Sequence, residues 1–265
     1  MKIKIIVSYI FIMIVFSLSG CLTTEYNLAT ERQETYIYST DREVSIGNSI
    51  SHKIEAKYPL ADDKDMQSRI SEIGKKLADV SDRQDIIYYF KVIKEEQANA
   101  IALPGGFIYI SDSLVNEADS DDEIAAVLAH EIGHITARHS VKQMQGSYLY
   151  NFLRILTARL NKDDPYLNRG VDYAFGSLII QYSQQDELEA DRLSVKYMKN
   201  AGFDPDALIL MLDKIDEIDR QRALRRFTYF RTHPPVATRK GVIRQSITGC
   251  IDFEGYINRP ETVLY

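Results

Sequence analysis

Ser120-Asp121-Asp122-Glu123-Ile124-Ala125-Ala126-Val127-Leu128-Ala129-His130-Glu131-Ile132-Gly133-His134 reads as a helix that opens on its own cap and closes on a metal-ligand spacing. Ser120 with Glu123 three residues on is a capping-box pattern, and Asp121 and Asp122 suit the positive end of the helix dipole. Residues four apart share one face of a helix, so His130 and His134 can present two imidazoles to one metal ion. Glu131 sits about 100° round from His130, beside such an ion rather than on it, where a base for an attacking water belongs. The bland alternative is a chance match on an amphipathic helix. Two of the five histidines flank a glutamate at ligand spacing in an otherwise apolar run, which argues for the metal site.

Toward the N-terminus, Lys2 and Lys4 precede an apolar run from Ile5 to Ser19, short for a membrane span of about 20 residues. This is the pattern of an export signal over residues 1–20. Leu18-Ser19-Gly20-Cys21 resembles the bacterial lipobox and predicts cleavage before Cys21, with lipid on that cysteine. An uncleaved anchor helix is the alternative. Leu22, rather than aspartate, follows the cysteine, which by resemblance to Gram-negative lipoproteins points to the outer membrane. Residues 21–41 are polar and aperiodic and read as a lipid-anchored tether, leaving a single domain over 42–265.

The chain has 265 residues and a formal net charge of −6. That length supports a sizeable core, and a mildly acidic chain without basic tracts argues against nucleic acid as a partner. Cys21 and Cys250 are its two cysteines. With lipid on Cys21, Cys250 has no intramolecular partner, so no disulfide framework is expected.

Ile46, Ile50 and Ile54 recur every four residues and predict a first helix ending before Pro59. Met66, Ile70, Ile73, Leu77 and Val80 predict a second. Ile86 to Ile93 reads as a strand, and Phe107-Ile108-Tyr109-Ile110 as another after the turn at Pro104-Gly105-Gly106. The stretch from Asn99 to Tyr109 is either an edge on which an extended peptide can pair or an ordinary hairpin of a small sheet. Beyond the metal helix the pattern is helical, through Val141 to Leu156 and Val171 to Tyr182. The break between them, residues 161–170, is either a gate over the cleft or a surface connector. Gly202 ends one later helix, and Asp204 with Pro205 caps the next. The fold class is therefore α+β, mainly α, with the active-site helix packed against a small β-sheet.

A catalytic zinc takes three protein ligands and keeps one position open. Ser140 stands six residues after His134, where a third histidine would have to be, and His139 is about 100° off that face. His139 reads as a surface histidine or one that supports a ligand. Ser183-Gln184-Gln185-Asp186-Glu187-Leu188-Glu189-Ala190-Asp191 is the better source. Glu187 and Asp191 are four apart, so one can bind metal while the other accepts an imidazole N–H from a ligand. Glu189 points the other way. An acidic solvated face is the alternative.

HExxH followed by ExxAD resembles the gluzincin metallopeptidases of the HtpX, Oma and CAAX-prenyl-protease family. Further matches are Asn99-Ala100 with Pro104-Gly105-Gly106, Ser183 before Glu187, and His233-Pro234-Pro235 with Arg239. Gln184 stands where that family often has arginine. The likeness is nearest to small outer-membrane lipoprotein members related to BepA and LoiP, without helical repeats. It implies a zincin-type domain holding one Zn2+ on His130, His134 and Glu187, with Glu131 as the base and Asp191 orienting a ligand. It also implies that His233 and Arg239 face the substrate carbonyl, with Asn99, Ala100, Gly105 and Gly106 beside the peptide. His233 occupying the open metal position at rest is a second possibility. The partners implied are polypeptides, misfolded or mis-assembled envelope proteins, met at the periplasmic face of the outer membrane. A chaperone or assembly factor using the same groove without cleavage is the alternative function.

Overall fold

The computed structural model describes residues 23–146, 182–221 and 236–249. The export signal, Cys21, residues 161–170, His233 and Cys250 lie outside the described residues.

Helix α4 (Asp121–Thr136) is the axis of the molecule, and every residue from Glu123 to Thr136 is buried. The sequence explains this, because Ile124-Ala125-Ala126-Val127-Leu128-Ala129 is apolar on all sides and cannot face water on any. Its neighbours are α2 (Lys64–Ala78), α5 (Gln184–Ala201), α6 (Ala207–Gln221) and strand β4 (Ala100–Leu103). Only half of the expected capping box forms. The Ser120 hydroxyl accepts the Glu123 N–H at 3.2 Å, but the Glu123 carboxylate takes the N–H of Asp119 and the ammonium of Lys214.

The sheet has three strands in the order β3-β5-β4, with β3 (Tyr89–Ile93) parallel and β4 antiparallel to the central β5 (Phe107–Ser111). All five residues of β5 are buried, as a strand covered on both faces requires. The strand expected from Ile86 begins only at Tyr89, and Ile87 is exposed. Strand β4 is an edge among the described residues. Its turn to β5 needs glycine twice, because Gly105 and Gly106 have φ of 76° and 98°. The Gly105 N–H donates to Glu43 Oε1 at 3.0 Å, and the Gly106 carbonyl accepts from Tyr89 at 2.8 Å. A Cβ on Gly105 would lie 2.5 Å from the Cα of Val44. Both glycines are therefore enclosed turn residues.

Helix α1 (Thr40–Lys57) carries its isoleucines on a half-buried flank, while its buried stripe is Glu43, Gly47 and Ser51. A Cβ on Gly47 would overlap the Pro104 carbonyl, so the helix lies directly on the turn. Glu43, which is fully buried, accepts from both outer nitrogens of Arg83 and from Arg138 Nε. Helix α2 follows its periodicity, with Ile70, Ile73 and Leu77 in the core.

The largest departure lies in the presumed tether. Strands β1 (Thr23–Asn27) and β2 (Arg32–Tyr36) form an antiparallel hairpin in the register Thr23↔Tyr36. Polar side chains attach it to the end of α4. Asn27 Nδ2 donates to the Thr136 carbonyl at 3.2 Å, Glu34 pairs with Lys142 at 2.7 Å, and Arg138 lies 3.9 Å over the Tyr36 ring. Tyr36 and Tyr38 add a small apolar cluster with Val141, Ile46 and Met144, too few residues to leave an apolar period in the hairpin. A short α3 (Asp112–Glu117) links β5 to α4, and α7 (Val236–Thr248) packs on α5 and α6. No helix among the described residues is long and apolar enough to cross a membrane.

Candidate metal centre

Helices α4 and α5 build the centre between them. A complete capping box starts α5: the Ser183 hydroxyl accepts from Asp186 N–H, and the Asp186 carboxylate accepts from Ser183 N–H. That cap sets the register in which Glu187 and Asp191 share the face turned to α4. Gly133 and Ala190 are the contact that lets the helices meet, since a Cβ on Gly133 would sit 3.0 Å from the Ala190 carbonyl. The chain stops α5 with Gly202 in the left-handed region, as expected.

His130, His134 and Glu187 converge into one buried group that could hold a metal ion. The two Nε2 atoms are 3.0 Å apart. Glu187 brings one carboxylate oxygen to 3.3 Å from His130 Nε2 and the other to 3.3 Å from His134 Nε2. A tetrahedral ion with bonds of about 2.0–2.1 Å spaces its ligand atoms about 3.3 Å apart, so these atoms fit one. Charge agrees with geometry. Among the described residues, Glu131, Glu187 and Asp191 are buried carboxylates beside one buried guanidinium, Arg239, an excess that a divalent cation would neutralise.

The surroundings orient the ligands. Asp191 lies 3.0 Å from His130 Nδ1 and is itself gripped by Arg239 through two hydrogen bonds of 2.8 and 2.7 Å. Burial pushes Asp191 up, but Arg239 prevails and holds its carboxyl at about 2. Burial and Arg239 push the His130 imidazole down, while its hydrogen bonds to Asp191 and Glu187 prevail and raise it to about 9. Burial holds His134 well below the usual imidazole range. Arg239, expected at a substrate carbonyl, forks onto Asp191 through Nε and Nη2, while its Nη1 lies 3.3 Å from Glu187.

Two features escaped the sequence reading, the ring of Tyr182 and the contact of Gly133 with Ala190. Tyr182, taken as part of an apolar stripe, stacks on His134 with centroids 4.0 Å apart and planes at 18°. His139, read as a surface histidine or one that supports a ligand, is fully buried with its Nδ1 2.8 Å from His134 Nδ1. Glu189 does turn away from the metal group, and meets His139 Nε2 at 3.1 Å. The Gly133–Ala190 contact had a signal, a glycine inside a helix, that periodicity ignores. Beside His130 and Arg239, the side chains of Ala126, Val127, Leu208, Met211, Leu212 and Ile215 enclose a gap with room for about one water.

Residues 64–247 match the model of Peptidase family M48. A beta-barrel assembly-enhancing protease of Yersinia pestis is 29% identical over 192 residues, covering 69% of this chain and 39% of that protein. Mitochondrial metalloendopeptidase OMA1 of Schizosaccharomyces pombe is 29% identical over 165 residues, 62% of this chain and 48% of that protein. Metalloprotease YcaL of Escherichia coli is 28% identical over 207 residues, 77% of this chain and 76% of that protein. The chain spans less than half the length of the beta-barrel assembly-enhancing proteases it matches.

Proposed function

The chain belongs to peptidase family M48, and from that membership we propose that it is a zinc endopeptidase cleaving misfolded or mis-assembled envelope proteins. It works at the periplasmic face of the outer membrane, held there by lipid on Cys21. The observation that carries the reading is the convergence of His130, His134 and Glu187 with Glu131 next to them in a buried site.

Those three residues would hold a zinc ion, which would supply Lewis acidity to lower the pKa of a water and polarise the scissile carbonyl. Glu131 accepts the proton of the attacking water and returns it to the leaving amine. Asp191 receives the Nδ1–H of His130 and so keeps Nε2 bare, and Arg239 holds Asp191 ionised for that task. His233 is the proposed donor to the carbonyl oxygen as charge develops there.

The peptide lies along β4. Ser111 N–H bonds the Asn99 carbonyl, and the register pairs Ile101 with Tyr109. Antiparallel alternation then turns the backbone groups of Ala100 and Ala102 outward, away from β5. The name of the Yersinia relative speaks of β-barrel assembly, which is why outer-membrane proteins are the proposed substrate class.

Glu131→Gln tests the reading. Zinc content should stay at wild-type level while cleavage of an unfolded outer-membrane protein falls by about 100-fold or more. Turnover at the wild-type rate would remove Glu131 from its role. Rescue of client assembly by the uncleaving variant would favour the chaperone function.

A further inference from the structure

The two imidazoles of the centre are supported unequally. His130 has a carboxylate directly at its Nδ1, 3.0 Å away on Asp191. His134 has instead a second imidazole, His139, with the two Nδ1 atoms 2.8 Å apart. Behind it, His139 Nε2 is 3.1 Å from Glu189 Oε2 and 3.5 Å from Asp186 Oδ1.

We propose that His139 and Glu189 are positioning residues for the metal, an imidazole–carboxylate relay that sets the tautomer and ring angle of His134. The proposal rests on the zinc reading above. Its proton logic has one solution. For His134 to offer Nε2 as a ligand, its proton must sit on Nδ1. That N–H donates to His139 Nδ1, which must therefore be bare. His139 then carries its own proton on Nε2 and donates it to Glu189. A reversed His139 would put two N–H groups nose to nose at 2.8 Å.

The chain makes a special turn to build this relay. In a continuing helix His139 would lie about 140° round from His134 and miss it. Helix α4 stops at Thr136, and Arg138 adopts a left-handed φ of 55°, which brings the chain back so that His139 reaches the ligand. Arg138 is held in that conformation by Glu43 and by the Tyr36 ring of the hairpin. Tyr182 closes one face of the His134 ring, leaving its edge to His139.

The test uses the full mature chain and reads zinc affinity by chelator competition, the visible spectrum of the Co2+-loaded protein, and the melting temperature in excess chelator. His139→Phe and Glu189→Leu should each weaken zinc about 10- to 100-fold and alter the Co2+ bands, with the metal-free melting temperature near wild type. The double variant should lose little more than either single one, because both cut the same relay. Glu189→Gln keeps a carbonyl acceptor and should recover most of the affinity. Where His139→Phe fails to fold, the half-buried Glu189→Leu still decides. Wild-type zinc affinity in Glu189→Leu, or losses that add in the double variant, would overturn the relay. A wild-type chain that binds no zinc at all would sink the zinc reading itself and the relay with it.

Discussion

Gly133 and Ala190 meet where α4 and α5 cross, and a Cβ on Gly133 would lie 3.0 Å from the Ala190 carbonyl oxygen and 3.1 Å from its Cα. Ala190 sits between Glu187 and Asp191 on α5, and Gly133 between His130 and His134 on α4. The closest approach of the two helices is therefore the place where the two halves of the metal centre must come within bonding reach of each other. Bulk at that point should open the centre without altering any ligand.

Gly133→Val is expected to destabilise the chain by about 1–3 kcal/mol through overpacking, and to lower bound zinc as well. Chemical denaturation and metal analysis on one preparation measure both. Unchanged stability and full zinc occupancy would mean that the helix spacing has slack.

Arg239→Ala separates a clamp from a transition-state donor. As a clamp on Asp191, Arg239 leaves a buried carboxylate without its guanidinium when removed, a loss of about 3–5 kcal/mol, and zinc retention should fall with it. A donor to the substrate carbonyl would instead lower turnover with zinc content intact. Metal content after dialysis tells the two apart.

The hairpin makes the fold sensitive to acid. Burial raises Glu34, but hydrogen bonds from Lys142 and Tyr36 prevail and hold its carboxyl below the ordinary value. A depressed folded value means that the unfolded chain binds the proton first. The contribution is therefore present above about pH 4.3 and is lost as pH falls through the folded value. Amide protection factors in residues 23–36, referred to the intrinsic exchange rate at each pH, should fall below that pH in the wild type. Glu34→Gln should show fast exchange already at neutral pH; a flat profile in the wild type would count against the hairpin's ionic attachment.

Cys21→Ser is expected to leave the protein without lipid and move it from the membrane to the soluble fraction, following the lipobox spacing at Leu18-Ser19-Gly20-Cys21. Persistence in the outer-membrane fraction would place the attachment elsewhere.

Local or periodic features of this molecule were open to reading along the chain. The cap at Ser120, the stop at Gly202, the helix through Ile70, Ile73 and Leu77, and the common face of His130 and His134 all follow from helical geometry over a few residues. What the fold alone decided are polar contacts between distant segments, which leave no period. Glu187 reaches 3.3 Å from both histidines across more than fifty residues of chain. Glu43 lies in an acidic first turn, and Arg83 and Arg138 close over it. Residues 23–36 have the composition of a tether, and their hydrogen bonds to the end of α4 together with the packing of Tyr36 on Val141 make them a hairpin of the body. The same holds for His139. At 3.6 residues per turn it faces away from His134, and only the left-handed Arg138, held by groups from two other segments, turns it back. Helical periodicity is a property of neighbours along the chain, whereas a buried polar group is satisfied by whatever segment the folded chain brings to it.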